Sequence, residues 1–518
     1  MKERKLLLGI AMTMFVANLS AQPGTLYTGF DADGKVTTAI GSSEDVAVSI
    51  AHQLDGKLVV AGYSSNGTDN DFALARYNVN GSLDTSFSSD GKLVTDIDSA
   101  NDNATSVAVQ SNGKIVVAGY TYNGTDYDFA IIRYNSDGSL DNTFNTNGIV
   151  TTDFGTGNDE AYSVAIQPDG KIVAAGYAYT LSKNDFALVR YNSNGSLDNT
   201  FGTGGKVTTD FSSGDDMAFS MRILPDGRIV AAGRTYNGSD YDFGLACYTQ
   251  LGTLAISFGT GGKVTTDFGS GDDIANCVFD ILDGTIVLAG SSENGTDRDF
   301  AVARYNDNGS LDTNFNSVGY LTTAIGSSND DAHSVFPQPD GKLVVSGSTF
   351  NGSDWDFALC RYDTNGDLDN TFGASGIVTT AIGSHNDGVN SSVIIPEGYV
   401  ILAGYSTNGT DADFALAKYY LWTPTAVIDL SGFGNEVWIY PNPIESEATL
   451  KYSLNAAEAI SIRLVDMQGK TLETFIDNEK QESGKHKQTI SFAEGLPSGN
   501  YLIVISSQSG RASIKIVK

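Results

Sequence analysis

The heptapeptide DFALARY, Asp71 to Tyr77, constrains this chain more than any other stretch. It returns, with small changes, at Asp128, Asp185, Asp242, Asp299, Asp356 and Asp413, each copy 57 residues after the last. A fixed period of this size, kept through seven copies without insertion or deletion, restricts the chain to a repeat architecture.

Other columns lock to the same period. A glycine (Gly34, Gly91, Gly148 and their successors) opens a β-branched run such as KVTTAI or KVTTDF. An aspartate follows at Asp45, Asp102, Asp159, Asp216, Asp273, Asp330 and Asp387, then a half-alternating run such as SVAIQ at Ser163. An Asp-Gly turn at Asp55, or its equivalent, leads into a KIVVAGY-type run, and an NGTD-type loop into DFALARY. The unit thus holds four strand candidates rich in Val, Ile, Thr, Phe and Tyr. Asp-Gly between the second and third predicts an antiparallel hairpin with a two-residue turn, both central residues at positive φ. The last two runs are apolar at nearly every position. A strand with one wet face alternates, so these two require cover on both faces.

Seven stacked four-stranded sheets predict an all-β fold, a seven-bladed β-propeller over residues 25–420. A linear solenoid fits less well: its period is usually shorter and its end repeats are atypical, whereas the first and last copies here look like the middle ones. The ends are also complementary. A KVTT strand at Lys35 has no preceding copy, and DFALAKY at Asp413 has no following KVTT strand. Val36 to Ile40 is therefore expected to pair with Phe414 to Tyr419 and close the ring.

The signature FALVRYNSNGSLDNTFG from Phe186 resembles the delta-60 family of repeats, and the resemblance covers about Phe30 to Tyr420. It implies a propeller-like fold in a secreted bacterial protein and supplies no activity.

Net charge is −31, while Glu436 to Lys518 holds 10 acidic and 9 basic residues, so the acidity lies in the repeats. Such a surface repels phosphate backbones, which argues against nucleic acid as a partner and for solubility. Lys2, Arg4 and Lys5, the apolar run Leu6 to Val16, and small residues at Ser20 and Ala21 read as a signal peptide over residues 1–21, cut after Ala21. No later run is long enough for a membrane span. Cys247, Cys277 and Cys360 each replace another residue in one copy only, which reads as buried free thiols rather than a disulfide framework.

Catalysis finds little support. His52, His333, His385 and His486 fall in unrelated places, and no nucleophile elbow, HExxH or phosphate-cradling loop occurs. The expectation is a non-enzyme without a cofactor. No metal site is assigned either: an aspartate needed in every unit, as at Asp45 and Asp71, reads best as one that binds backbone amides in its own turn. NSDGSLD at Asn135 resembles part of a calcium loop but lacks its ligand spacing and terminal Glu.

Function is sought where the copies differ. The loop before DFALARY is flanked by Tyr122 and Tyr127 in copy two, Tyr236 and Tyr241 in copy four, and Phe350 and Trp355 in copy six. Copy three has Tyr179 alone. Two roles compete for these residues. They stack on sugar rings or anchor a protein partner, or each pair packs across its own hairpin. The expected function is a non-catalytic surface propeller for binding or structural display, with a carbohydrate-binding, lectin-like module and a polysaccharide hydrolase or lyase as alternatives.

After Tyr420 the period stops. Residues 421–435 read as a linker, and 436–518 as a small Ig-like β-sandwich with short alternating strands such as ATLKYSL, ISIRLVD and YLIVISS. YPNP at Tyr440, IRLVDMQGK at Ile462, GLPSGNYLIVI at Gly495 and the final KIVK resemble the type A C-terminal sorting domain of the type IX secretion system. The resemblance implies that residues 436–518 engage that machinery. It further implies export through the periplasm, a cargo anchored on the outer surface or released, and a bacterium of the Bacteroidota type.

Overall fold

A computed structural model describes residues 22–421 apart from 54, 213, 270, 282–283, 339 and 396–397. It also describes 433–518 apart from 441–443, 445, 455, 466–470, 493–495, 498 and 508–510. The expected signal peptide with its cut after Ala21, and most of the expected linker, lie outside these residues.

Among the described residues every regular element is a strand, and each repeat builds one four-stranded antiparallel sheet, seven in all before residue 421. Blade one contains Asp45–His52, Leu58–Ser65, Asn70–Tyr77 and Lys92–Thr95, in that spatial order. The KVTT-type strand therefore completes the blade of the preceding DFALARY strand. The first strand of every blade touches the first strands of both neighbours all round the ring, and so lies innermost. The second and third strands are buried along almost their whole length, as their continuous apolar runs require.

The hairpin after the first strand departs from expectation. His52 pairs with Leu58, and the connection spans residues 53–57, closed by the Gln53 amide donating to the Lys57 carbonyl. Among its described residues only the glycine is left-handed, at φ +88° for Gly56; Asp55 is not. A longer loop with one left-handed glycine replaces the two-residue turn, because Gln53 and Lys57 still pair as its frame.

Each first strand also carries a bulge, at Ala47/Ser49 in blade one. The bulge presses a carbonyl against the facing second strand. A Cβ on Gly62 would lie 1.9 Å from the Val46 carbonyl oxygen, and Gly119, Gly176 and Gly233 meet the same obstruction at 1.9 Å. The repeated glycine ending the KIVVAG run is thus required by close approach rather than by φ.

Seven apolar clusters join each blade to the next. Between blades one and two, Phe72 and Leu74 pack on Ala104, Val107, Ile115 and Val117. Polar bonds reinforce the same joints. The buried Tyr191 hydroxyl pairs with Thr152 of the preceding blade at 2.7 Å, and Tyr248 donates to Thr209 at 2.8 Å.

On the outer side of blade one, Asp84 takes Arg76 Nε at 2.7 Å and Lys57 Nζ at 2.8 Å, with the Arg76 guanidinium over Phe87. Burial pushes the Asp84 carboxyl up, but hydrogen bonds from Lys57 and Ser86 and the Arg76 charge outweigh it. The group stays below the usual carboxylate range.

Two blades replace this pair, each as a unit. In blade four both charges are gone: Cys247 and Ala255 hold the two positions inside one apolar cluster. Loss of both partners leaves no unpaired buried charge, which is the tolerated way to lose an ion pair. In blade seven Lys418 stands in the arginine column and Tyr27 in the aspartate column. The Lys418 ammonium lies over Tyr27 (4.9 Å) and Tyr399 (4.4 Å).

The ring closes as its ends imply. Lys35–Thr38 is the outer strand of the last blade, pairing antiparallel with Phe414–Ala417, Val36 opposite Leu416. The closing segment reaches further on both sides. Pro23 accepts from the Gly373 amide of blade six, and the Asp31 amide donates to Asn80 of blade one.

The C-terminal module has two sheets. One holds Phe433–Tyr440, Glu447–Leu454 and Gly484–Ser491; the other holds Glu458–Val465, Thr471–Gln481, Asn500–Ser506 and Arg511–Val517. They share a core of residues such as Leu450, Ile462, Ile490 and Ile503. Its first strand begins at Phe433, inside the stretch expected to be linker.

Candidate functional site

The variable aromatics sit where the second and third strands meet their loop. Tyr122 faces Tyr127, Tyr236 faces Tyr241, and Phe350 faces Trp355 as directly opposed cross-strand residues. Their rings meet edge-on at 5.4, 5.3 and 5.7 Å. All six are half-buried, so each pair packs across its own hairpin and still presents ring surface to solvent.

Two of the three pairs belong to a larger structure. Tyr127 also meets Tyr120, on the second strand of blade two, at 5.1 Å. Tyr120 leads to Tyr162 on the innermost strand of blade three at 6.2 Å. Tyr162 stacks on Tyr177 (5.9 Å, planes 25° apart) and meets Phe219 of blade four edge-on at 5.3 Å. The Arg234 guanidinium then lies over Phe219 at 5.8 Å and over Tyr241 at 4.3 Å. From Tyr122 to Tyr236 the rings form one belt across blades two, three and four. The Phe350 and Trp355 pair stands apart on blade six, beyond a blade five that carries Glu293 and Arg298 at those positions.

Polar groups are set into the belt. The Tyr162 hydroxyl donates to Glu160 Oε2 at 2.8 Å. Burial and the Glu160 charge push the Tyr162 hydroxyl far above its ordinary pKa, and Tyr120 and Tyr177 rise for the same two reasons. These phenols remain protonated donors at any physiological pH. Arg234 sends Nη2 to the Met217 sulfur at 3.3 Å, while its buried Nε meets no acceptor.

The opposite side of the ring is charged. Arg298 on blade five and Asp331 on blade six form a two-pronged bridge, both contacts at 2.8 Å. His333 lies near them, its pKa drawn down chiefly by burial, with Asp331 opposing.

The recurring aspartates behave as turn residues. In all seven blades the Asp45-column carboxylate accepts the amide five residues earlier, at 2.6–2.7 Å. Burial raises Asp102, Asp159, Asp216 and Asp273 to about 6. Asp71 accepts Asn66 Nδ2 of its own loop at 3.1 Å.

Sequence reasoning found Tyr122, Tyr127, Tyr236 and Tyr241 and missed Tyr120, Glu160, Tyr162, Tyr177, Phe219 and Arg234. A signal was present. The column of Tyr162 reads Val48, Thr105, Tyr162, Phe219, Asn276, His333, Asn390, the only divergent stretch between two near-invariant alanine and serine columns.

Six segments, residues 53–87, 110–144, 167–201, 224–254, 282–315 and 338–372, match the family described as "Domain of unknown function (DUF5122) beta-propeller". Residues 438–518 match the "Secretion system C-terminal sorting domain". The chain carries DUF5122 propeller repeats followed by a type IX sorting domain. Such a tail directs a protein to the type IX machinery, and so to the cell surface or the medium. No curated protein matches the chain. Among solved structures it is similar to Sqt1 from Chaetomium thermophilum at 12% identity, covering 74% of this chain and 97% of that one, TM-score 0.40. It is similar to polysaccharide lyase Uly1 at 11% identity, with 74% and 91% coverage and TM-score 0.42. Drosophila Plexin A, in complex with Semaphorin 1b, aligns at 9% identity, with 78% and 88% coverage and TM-score 0.37.

Proposed function

We propose that the ring is a non-catalytic binding module that takes carbohydrate along the belt of blades two to four, on the outer surface of the cell or released from it. In this reading a signal peptide carries the chain to the periplasm and the sorting domain carries it outward. The observation behind the reading is the belt itself: mostly half-buried rings linked over three blades, the last step bridged by Arg234, with Glu160 and tyrosine hydroxyls among them. Flat rings offer stacking faces for sugar, and the polar groups between them suit hydroxyls.

The same features argue against chemistry at the belt. A catalytic tyrosine base needs a lowered pKa, and these move up. Arg298 and Asp331 satisfy one another.

The test is glycan-array and calorimetric binding by the mature chain, followed by Tyr127→Ala and Tyr241→Ala. Each ring contributes on the order of 1 kcal/mol, so each change weakens binding about fivefold. No glycan bound, or affinity unchanged in the double variant, refutes the proposal. Release of new sugar ends from a bound polysaccharide replaces it with the lyase or hydrolase reading, for which Arg298, Asp331 and His333 are the residues to substitute.

A further inference from the structure

At the joint between blades one and two, three carboxylates converge: Asp71 at the start of the third strand of blade one, Asp96 just after its outer strand, and Asp102 at the start of the innermost strand of blade two. One oxygen from each lies within 4.8 Å of the others. Asp71 is 5% exposed and Asp102 fully buried, while Asp96 opens the group to solvent. Asn66 satisfies one oxygen of Asp71 at 3.1 Å; the other is closed off from water and meets no donor. Among the described residues none of the three forms an ion pair. Three like charges around a buried, unpartnered oxygen are unfavourable unless something positive joins them.

The protein shows what joins them elsewhere. The same trio recurs between blades three and four as Asp185, Asp210 and Asp216. There Lys183 enters: its ammonium is 2.6 Å from Asp210 and 3.6 Å from Asp185. The Lys183 column holds aspartate in the other six copies: Asp69, Asp126, Asp240, Asp297, Asp354 and Asp411. One copy therefore exchanges a loop carboxylate for a cation that reaches the trio. At the trio of Asp128, Asp153 and Asp159, Lys206 binds the Asp153 carbonyl. At the equivalent of Lys206 beside Asp96 the residue is Ile149, and beside Asp267 it is Tyr320.

We infer that Asp71, Asp96 and Asp102 bind a divalent cation of the calcium type that joins blade one to blade two, and that Asp242, Asp267 and Asp273, where the buried unpartnered oxygen is Asp273 Oδ1, form a second such site between blades four and five. Calcium is a hard cation that takes carboxylate and water oxygens in flexible geometry. A half-open trio with one exposed member suits it better than a fixed octahedral shell suits magnesium. Asp96 and Asp267 decide which joints qualify, since their column is alanine at Ala39, Ala324 and Ala381.

That alanine precedent supplies a variant that folds. The mature chain, stripped with chelator, is titrated with calcium chloride by calorimetry, and its melting is followed with and without the ion. The expected result is two sites with dissociation constants of roughly 10⁻⁴ to 10⁻³ M or tighter, as in extracellular modules, and a higher melting temperature in calcium. Asp96→Ala removes one site and Asp96→Ala with Asp267→Ala removes both, together with the calcium-dependent shift. Asp71→Asn, which keeps the shape and drops the charge, weakens the first site at least tenfold. Absence of binding in the wild type overturns the inference. So does calcium binding of equal strength and number in the double alanine variant, which would mark general attraction to an acidic surface.

Discussion

Residues 22–40 are predicted to hold the whole ring rather than one blade. Phe30 is fully buried and Val36 is 5% exposed, in the cluster that joins blade seven to blade one. Removing a buried phenylalanine side chain costs about 3–5 kcal/mol. Burial of a valine contributes roughly 1.5–3 kcal/mol more. Deletion of residues 22–40 also strips the outer strand from Phe414–Ala417 and the bonds to blades six and one. A loss of about 5–8 kcal/mol compares with a typical total domain stability of roughly 5–15 kcal/mol, so the effect must be global. Hydrogen-exchange mass spectrometry of the mature chain and of the deletion reads this directly. Protection should fall in every blade, including blades three and four, which the segment does not touch. Phe30→Ala should destabilise as much as Phe144→Ala, because the two occupy the same column and are equally buried. Loss of protection confined to residues 387–420, with the other blades unchanged, would refute the reasoning.

Three further outcomes follow from the fold. Gly233→Ala should destabilise by at least about 1–3 kcal/mol in denaturant titration, since its Cβ would sit 1.9 Å from the Met217 carbonyl oxygen; Gly155→Ala, with nothing near its Cβ and no positive φ, should cost less. Asp141 binds Lys114 and Arg133, both at 2.6 Å; burial raises its pKa, but these bonds and Thr143 prevail and hold the carboxyl below the ordinary range. Its stabilising effect is therefore complete above the unfolded carboxylate value near 4 and is lost as pH falls below it, so melting profiles of wild type and Asp141→Asn should converge in acid and separate above about pH 4. Deletion of residues 437–518 should leave a folded ring in the periplasm and none outside, by fractionation and immunoblot, and normal surface delivery would contradict the sorting role.

How much of this the sequence carried depends on whether the decisive contact lies within one repeat or between repeats. The blade order, the double-sided burial of KIVVAG and DFALAR, and the pairing of Val36 with Leu416 are all set by pattern along the chain, because each strand's partner is the next strand or its periodic equivalent. The connection at Asp55 is longer than its sequence implies because Asp-Gly signals a left-handed glycine without stating the loop length around it. Thr471–Gln481 is not legible as a strand because its charged, mostly exposed residues lack the alternation that marks a half-buried one.

The continuity of the belt and the carboxylate trios are harder to read from the chain, for a different reason. Tyr120, Tyr162 and Phe219 are about 40–60 residues apart, and each, taken alone, is an ordinary strand aromatic; only the rotation from blade to blade brings their rings within 7 Å. Asp71 and Asp102 likewise belong to columns that every copy needs for its turns. What distinguishes a binding position from a structural one is a change in one copy that its spatial neighbour answers. Cys247 with Ala255, and Lys418 with Tyr27, show that substitutions within the ring occur as such matched sets. Lys183 beside Asp185 and Asp210 is another, and it has an acidic counterpart at Asp71, Asp96 and Asp102 that no cationic side chain among the described residues pairs with. By the same logic the proposed calcium is the answering charge there, supplied from solution.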